Sequence, residues 1–459
     1  MTVTATLIAI PLAWLTARTD LPARRVWATL VTLPLVVPSY IGAYLLVSAF
    51  GPRGFLQDAL SPLGVEQLPS IYGWPGAWLA LTLFTYPLIL LPVRSALLRL
   101  DPQLEDAARA LGRAPRDVFR SVILPQLRPA IGTGGLLVAL YVLSDFGAVA
   151  IMRFDSFTRE IYVSYAFDRS AAAALGAVLV MLMVVLLYTQ SRIRGRGAYH
   201  RSGPGAARRP RTVPLGRWRW PALGLCGLIT LIALVLPVGV LIYWASKGLG
   251  NVEASSIAAN AGNSLLAGAL AAALAAAAAV VIAFLAVRHR SLLSTLIERV
   301  GYAGYALPGI VVALSLVFIG TRLTPGLYQT LAMLVFALAA HYLPLAIGPV
   351  STSLLQVSPR VEEAARGLGR GPLDVFRTIT APLALGGVLA GAALVFLHAV
   401  KELPATLLLA PIGFETLATE IWRQSISGFF EASAIPALVL LLVAAPPLYL
   451  LSERGTVRS

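Results

Sequence analysis

The chain has 459 residues, of which 58% are hydrophobic and only 12% are charged, and its mean hydropathy is +0.80. Water-soluble domains carry about 25% charged residues, so this composition excludes a water-soluble globule and a disordered chain. The formal net charge of +15 would suit a nucleic-acid-binding protein, but the placement of the basic residues, described below, indicates another role. The single cysteine, Cys226, excludes an internal disulfide and a cysteine-based metal cluster.

Long apolar stretches recur along the whole chain. A transmembrane helix needs about 20 mostly apolar residues, so the sequence predicts an all-α, polytopic membrane protein. Eleven spans are expected, at roughly 3–17, 26–50, 76–93, 130–151, 171–190, 219–245, 263–287, 299–320, 328–350, 383–400 and 434–452.

The basic residues collect on one side of these predicted spans. Of the 36 Arg and Lys residues, 28 lie in alternating segments that carry a net charge of +18, against −3 for the remainder. These segments are 18–25, 94–128, 191–219, 288–299, 360–377 and 453–459. Because basic loops stay in the cytoplasm, the charge is a signal of topology, and no nucleic-acid partner is expected. This orientation leaves Met1 outside, so we expect one further helix to be missing from the N-terminus.

An internal repeat divides the chain. Residues 101–125 read DPQLEDAARALGRAPRDVFRSVILP and residues 358–382 read SPRVEEAARGLGRGPLDVFRTITAP, with 14 of 25 positions identical. The repeat extends outward through four further matches, namely Arg18 with Arg288, Pro38 with Pro308, Asp145 with Glu402, and Glu160-Ile161-Tyr162 with Glu420-Ile421-Trp422.

The repeat predicts two tandem homologous halves, at 1–190 and 218–459, joined by a basic linker at 191–217. An even number of predicted helices separates the two copies, so the halves are expected to be parallel repeats. Six predicted helices fall in the second half and five in the first. Asn263-Ser264, at the head of a helix in the second half, has no counterpart in the first.

Each copy of the repeated loop is predicted to form a helix, a glycine turn and a second short helix. In the first copy, Asp101-Pro102 is typical of a helix start, Gly112 of a helix end and Pro115 of a second start. The second copy has the same signals at Ser358-Pro359, Gly369 and Pro372. Two matched surfaces indicate a partner with two equivalent sites, such as a symmetric dimer. The alternative is a solvated loop retained by duplication.

The run EDAARALG followed by ILP resembles the EAA loop of permease subunits of binding-protein-dependent ABC importers, and EEAARGLG followed by AP resembles it too. The second copy departs from the pattern at Thr380-Ala381. The resemblance implies the type I ABC importer permease fold, with two tandem helix bundles. It also implies that each loop couples the permease to a cytoplasmic ATPase dimer. The implied coupling residues are Glu105, Asp106, Ala107, Ala108, Arg109, Gly112, Pro115, Asp117, Glu362, Glu363, Ala364, Ala365, Arg366, Gly369, Pro372 and Asp374.

ATP hydrolysis by this chain itself is not expected. A P-loop needs a lysine after its second glycine, and neither of the two lysines, Lys247 and Lys401, follows such a run. The ATP is therefore expected to be hydrolysed by a partner subunit, and no cofactor is expected on this chain. An enzyme working inside the membrane is not favoured either, because no nucleophile–base or metal-ligand arrangement is recognisable.

Four further stretches narrow the resemblance to fused ferric-iron permeases, namely 37–44 (VPSYIGAY), 144–147 (SDFG), 401–409 (KELPATLLL) and 411–418 (PIGFETLA). This implies transport of Fe³⁺ across a bacterial inner membrane, with delivery by a periplasmic or lipid-tethered iron-binding protein. A fused permease for thiamine or another small solute is the alternative. An ATP-independent secondary transporter is less favoured, because it has no use for a matched pair of docking loops.

Ionisable residues inside a membrane are candidates for function. Asp145 and its repeat equivalent Glu402 are expected near the ends of predicted spans, and His398, four residues before Glu402, is expected on the same helical face. One hypothesis is that these three residues line the translocation path of a cation. The alternative is that each carboxylate pairs with a nearby basic or backbone group and fixes a helix break. The other histidines, His200, His289 and His341, show no ligand spacing, so no metal site is expected.

The predicted external loops, 152–170 and 403–433, are expected to receive the binding protein. Their charged residues are Arg153, Asp155, Arg159, Glu160, Asp168, Arg169, Glu415, Glu420, Arg423 and Glu431.

Overall fold

The computed structural model describes residues 1–51, 54–64, 67–100, 102–193, 212–248, 253–289, 291–304 and 307–456. Asp101, His200 and most of the predicted linker lie outside these residues. Over the described ranges the chain forms helices and no β-strand, and an isolated bridge pairs Thr19 with Val213.

The helices up to the linker are α1 (Thr2–Arg18), α2 (Arg24–Leu30), α3 (Ser39–Phe50), α4 (Phe55–Leu60), α5 (Trp74–Thr85), α6 (Pro87–Arg99), α7 (Pro102–Ala110), α8 (Pro115–Val118), α9 (Leu124–Ser144), α10 (Gly147–Ile151), α11 (Phe157–Phe167) and α12 (Arg169–Ile193). Those after it are α13 (Arg219–Thr230), α14 (Leu236–Gly248), α15 (Ala254–Arg288), α16 (Leu292–Ala303), α17 (Gly309–Arg322), α18 (Leu331–Gln356), α19 (Pro359–Gly367), α20 (Pro372–Val375), α21 (Ala381–Val400), α22 (Pro404–Leu409), α23 (Leu417–Ile426) and α24 (Phe430–Thr456).

Seven helical segments in the described residues are long and apolar enough to cross a membrane, namely Trp74–Arg99, Pro115–Ser144, Arg169–Thr189, Gly216–Gly248, Ala254–Arg288, Leu331–Gln356 and Pro372–Val400. A bent pair, Arg24–Val36 with Ser39–Phe50, gives an eighth if it counts as one span. Three shorter apolar helices are Thr2–Arg18, Gly309–Arg322 and Phe430–Ala444. All eleven predicted spans fall on these segments, and their total as crossings stays a prediction.

Three predicted spans are interrupted rather than continuous: the stretch at 130–151 breaks between α9 and α10, and two others break before a proline. The stretch predicted at 26–50 bends by 96° just before α3, and the stretch at 299–320 breaks between α16 and α17. Pro38 and Pro308 stand immediately before the helices that follow the breaks. Proline has no N–H to donate and disfavours helical backbone in the residue before it, so each repeat breaks at the same place.

The chain divides into two compact units, Met1–Val163 with Ala177–Tyr243, and Ser164–Gly176 with Trp244–Ser459. The predicted domain boundaries follow the sequence repeat and stay a prediction. In the first unit α1, α6 and α9 pack together, and in the second unit the equivalent helices α15, α18 and α21 do so. Glycine permits close approach in each group: a Cβ on Gly134 would lie 2.6 Å from Cα of Ile89, and one on Gly391 would lie 2.9 Å from Cα of Ala346.

Candidate functional site

The first coupling element, residues 102–123, begins with α7 and turns at a glycine. Gly112 has a φ of 77°, which glycine adopts without a steric penalty. The N–H of Gly112 donates to the carbonyl of Arg109 at 2.9 Å, and the N–H of Arg113 donates to that of Ala108 at 3.2 Å. This pair of bonds is the Schellman motif, which satisfies carbonyls left open at a helix end.

The second coupling element, residues 359–380, has the same turn. Gly369 has a φ of 84°, and its N–H donates to the carbonyl of Arg366 at 2.9 Å. The N–H of Arg370 donates to the carbonyl of Ala365 at 3.1 Å. Both predicted glycine turns are therefore present with the same hydrogen bonds.

The helix after each turn is not a separate short helix, as the sequence suggested. The helix that opens at Pro115 continues through a π turn, Phe119–Ile123, into α9, and the one that opens at Pro372 continues through Phe376–Thr380 into α21. Pro125 and Pro382 lie two residues beyond the ends of the π turns and have no N–H to donate, so a widened turn replaces a break there. The glycine turns thus connect directly to long apolar helices.

A buried ion pair attaches the first coupling element to the end of α1. Nη2 of Arg18 donates to both carboxylate oxygens of Glu105, at 2.7 Å each. The side chains are only 1% and 6% exposed. Nε and Nη1 of Arg18 have no hydrogen-bond partner among the described residues.

The equivalent pair attaches the second element to the end of α15, with additional partners. Nη2 of Arg288 donates to Oε1 of Glu362 at 3.0 Å and to the carbonyls of Val357 and Leu354 at 2.7 and 3.3 Å. The hydroxyl of Thr380 donates to Oε1 of Glu362 at 2.9 Å. The repeat had matched the two arginines and the two glutamates separately, at different offsets, so no sequence signal paired them.

An aromatic contact accompanies each ion pair. The rings of Trp14 and Phe119 meet edge to face with centroids 5.2 Å apart, and those of Phe284 and Phe376 do so at 5.6 Å. Edge-to-face packing is a favoured arrangement of aromatic pairs. Each coupling element is thus fastened both at its first helix and at its π turn.

The remaining predicted coupling residues divide by exposure. Glu105, Ala108, Glu362 and Ala365 are buried. The exposed residues are Asp106, Ala107, Arg109, Gly112, Pro115, Asp117, Glu363, Ala364, Arg366, Gly369, Pro372 and Asp374. Leu111 and Leu368, which the sequence had not singled out, are 81% and 84% exposed at the glycine turns.

Asp145 lies at the break after α9 and is buried. Its Oδ1 accepts from the N–H of Ala148 at 2.9 Å, and its Oδ2 accepts from the hydroxyl of Ser39 at the start of α3. The carbonyl of Asp145 accepts from the hydroxyl of Thr158 at 2.6 Å. The residue therefore ties α9 to α10, α3 and α11.

Glu402 lies at the equivalent break and is buried too. Both of its carboxylate oxygens accept from the N–H of Ala405, at 3.1 and 3.0 Å, and Oε2 also accepts from the N–H of Thr406 at 3.2 Å. A Cβ on Gly309 would lie 3.0 Å from Oε1 of Glu402 and 3.7 Å from Nε2 of His341. His341, set aside at the sequence level, thus lies near this carboxylate.

The expected common face of His398 and Glu402 is wrong, because α21 ends at Val400 and Glu402 lies beyond it. His398 instead approaches the carbonyl of Leu394 through Nδ1 at 2.9 Å, and its ring lies 5.5 Å from that of Tyr342. Among the described residues, no group of three or more His, Cys, Asp or Glu side chains could hold a metal ion.

A charged cluster occupies the predicted external loop after α22. Nη2 of Arg423 donates to Glu420 and, at 3.3 Å, to Glu415. Burial raises the pKa of Glu415 above its ordinary value. Burial also acts to raise the pKa of Glu420, but hydrogen bonds from Gln424 and Arg423 outweigh it and hold that pKa below its ordinary value.

The same loop is fastened to α15 by the two residues that the first half lacks. Nδ2 of Asn263 donates to the carbonyl of Glu415 at 2.8 Å, and the hydroxyl of Ser264 accepts from the N–H of Leu417 at 2.9 Å. Ile412, within this loop, is 89% exposed.

The two repeated elements and the apolar helices around them are those of a transport permease. The binding-protein-dependent transport system inner membrane component family matches residues 9–193 and again 271–452, and the chain belongs to this family. It is therefore a multi-pass protein of the inner membrane, built from two tandem copies of the family's domain.

Particular relatives are permeases too. The chain is 34% identical over 430 residues to the Fe(3+)-transport system permease protein FbpB 2 of Haemophilus influenzae, which covers 92% of this chain and 81% of the relative. It is 29% identical over 192 residues to the sulfate transport system permease protein CysT of Salmonella typhimurium, with 40% and 68% covered. It is 36% identical over 137 residues to the molybdenum transport system permease protein ModB of Escherichia coli, with 30% and 58% covered.

Proposed function

We propose that this chain is the permease of an ATP-driven importer of ferric iron. A binding protein delivers the Fe³⁺, and a cytoplasmic ATPase dimer docks on the two coupling elements. The similarity to an Fe(3+)-transport permease over 92% of the chain carries the choice of iron. The similarities to sulfate and molybdenum permeases cover only 40% and 30% of the chain. They therefore support transport by a binding-protein-dependent permease, and do not support sulfate or molybdate as the substrate of this chain.

The matched geometry of the coupling elements supports the docking of a dimer. Each element presents an exposed helix and glycine turn, and each is fixed from behind by an Arg–Glu pair. Two copies of one surface suit two copies of one partner. The exposed leucines, Leu111 and Leu368, give each copy an apolar contact at the same position.

We propose a positioning role for Asp145 and Glu402 rather than a role as ligands of the passing cation. Their carboxylate oxygens accept hydrogen bonds from the helices that follow, which supports the alternative that they fix the helix breaks. His398 lies two residues before the end of α21, and its Nδ1 lies 2.9 Å from the carbonyl of Leu394. We therefore propose that His398 lies beside the path and that its Nδ1 does not bind the passing cation.

The deciding experiment is uptake into proteoliposomes that contain the permease, its ATPase and its binding protein. Radioactive Fe³⁺ is the main substrate, with thiamine, sulfate and molybdate in parallel. Uptake of iron that stops without ATP is the expected result. Uptake of another solute would keep the mechanism and refute iron, while uptake that persists without the ATPase would refute the importer.

The Gly112→Asp, Gly369→Asp double variant tests the docking surface within the same assay. Each substitution places a side chain at a positive φ, which costs about 1 kcal/mol or more, and adds a negative charge to the exposed turn. We expect the variant to lose both the ATPase from the purified complex and the uptake. Gly216→Asp is the control, because Gly216 also has a positive φ of 51° with no heavy atom within 4 Å of a Cβ. Equal losses in both variants would contradict the docking surface.

A further inference from the structure

The two buried ion pairs join parts of each unit that a transport cycle would have to move together. Arg18 is the last residue of α1, and Glu105 lies in the first turn of α7. Arg288 is the last residue of α15, and Glu362 lies in the first turn of α19. Each pair therefore links an apolar helix of the three-helix group to the exposed helix of a coupling element.

Separation of either pair would be strongly unfavourable, because it would leave an unpaired charge in a buried site. The pair of Arg18 and Glu105 is bidentate, with both bonds at 2.7 Å. The Trp14–Phe119 contact joins α1 to the π turn that leads into α9, and Phe284–Phe376 does the same for α15 and α21. A displacement of the exposed helix of each coupling element would therefore displace two apolar helices, α1 and α9 in the first unit and α15 and α21 in the second.

We propose that Arg18 with Glu105, and Arg288 with Glu362, are positioning residues that transmit movement of the coupling elements to the apolar helices. This inference rests on the proposed docking of an ATPase dimer. The pairs do not touch the exposed docking surface, since all four side chains are largely buried. Their loss is expected to uncouple ATP hydrolysis from transport rather than to prevent the ATPase from binding.

The two ion pairs differ in the number of other hydrogen bonds that hold their side chains in place. Arg288 also donates to the carbonyls of Leu354 and Val357, and Glu362 also accepts from Thr380. The position equivalent to Thr380 in the first half is Ile123, which has no hydroxyl. The first coupling element therefore depends more heavily on its ion pair, and its variants are expected to be the more severely uncoupled.

The test measures ATP hydrolysis by the whole complex in nanodiscs, with and without the iron-loaded binding protein. The variants are Arg18→Gln, Glu105→Gln and Glu362→Gln, with Arg25→Gln as a control that removes an exposed cytoplasmic charge. In Arg18→Gln and Glu105→Gln, we expect normal recovery of the ATPase and normal basal hydrolysis, but at least about a fivefold loss of stimulation. Glu362→Gln is expected to lose less, and Arg25→Gln nothing.

The charge-reversed double variant, Arg18→Glu with Glu105→Arg, separates transmission from simple loss of folding. Opposite charges are again paired across the same two helices, so stimulation should recover relative to the single variants. Unchanged stimulation in Arg18→Gln and Glu105→Gln would overturn the inference, as would parallel loss of ATPase binding and hydrolysis with no recovery in the double variant. If the wild-type complex fails to retain the ATPase, or is not stimulated by the iron-loaded protein, the proposed function itself falls.

Discussion

Asp145 and Glu402 are equivalent in the repeat, yet the surrounding residues accommodate them differently. Ser39 donates its hydroxyl to Asp145, whereas the residue equivalent to Ser39 is Gly309, and Glu402 occupies the space beside it. In the second half, the longer side chain of Glu402 thus lies beside a glycine, the first residue of α17. In the first half, the shorter side chain of Asp145 lies beside a serine, the first residue of α3, whose hydroxyl donates to it.

This compensation predicts the behaviour of exchanged pairs. Asp145→Glu alone should destabilise the protein by about 1–3 kcal/mol, because an extra methylene is forced into a packed site against Ser39. Adding Ser39→Gly copies the combination of the second half and should recover most of the loss. Thermal unfolding in detergent, followed by tryptophan fluorescence, measures both variants.

The mirror exchange is the control for this prediction. Gly309→Ser should destabilise the second unit, since the added Cβ would lie 3.0 Å from Oε1 of Glu402, and adding Glu402→Asp should relieve the contact. A double variant at either site that unfolds no later than its worse single variant would contradict the compensation.

At the scale of single helices, a pair of equivalent glycines permits close helix crossings in the two three-helix groups. Gly134 and Gly391 each lie against the backbone of the neighbouring helix, opposite Ile89 and Ala346. Apolar side chains contribute little to helix association in lipid, so small residues that permit close approach take that role. The repeat predicted that these helices are equivalent, but nothing in one sequence shows which of many glycines faces a neighbour.

Substitution by alanine distinguishes the crossing glycines from others in the same helix. In α21, Gly391→Ala would bring a Cβ within 2.9 Å of Cα of Ala346, whereas Gly386→Ala meets no heavy atom within 4 Å. We expect Gly391→Ala to destabilise the folded protein by about 1–3 kcal/mol. We expect Gly386→Ala to stabilise it by about 0.4–1 kcal/mol, because alanine lowers the conformational entropy of the unfolded chain. Melting temperatures of the purified proteins check this, and a reversed order would contradict the crossing.

The structural features that could be predicted from the sequence are those that depend on the backbone preference of a single residue. Glycine at each turn and proline at each second helix start identified the coupling elements, because backbone preference depends on the residue itself. The Arg18–Glu105 contact was not foreseen, because it joins residues 87 positions apart. The span predicted at 383–400 ends where α21 ends, but a common face for His398 and Glu402 required the helix to continue past Val400, which it does not.

At the scale of the whole molecule, the distribution of charge predicts which loops face the cytoplasm. Both coupling elements lie in segments that carry more basic than acidic residues, and parallel repeats are expected to place both on the cytoplasmic side. An inverted repeat would place them on opposite sides and would leave no common surface for one dimeric partner. The topology is therefore a direct test of the proposed docking as well as of the orientation.

Accessibility of single cysteines measures this topology. In a Cys226→Ser background, Leu111→Cys and Leu368→Cys place thiols at two exposed turns, and Ile412→Cys places one in the predicted external loop. A membrane-impermeant maleimide added to intact spheroplasts should label only Ile412→Cys, and should label the other two only after the membrane is opened. Co-expression of the ATPase should then shield both turn cysteines to the same degree, because each carries the same surface. Labelling of only one turn cysteine from outside would contradict parallel repeats, and labelling of both would contradict the predicted orientation. Shielding of only one by the ATPase would contradict a symmetric dimer.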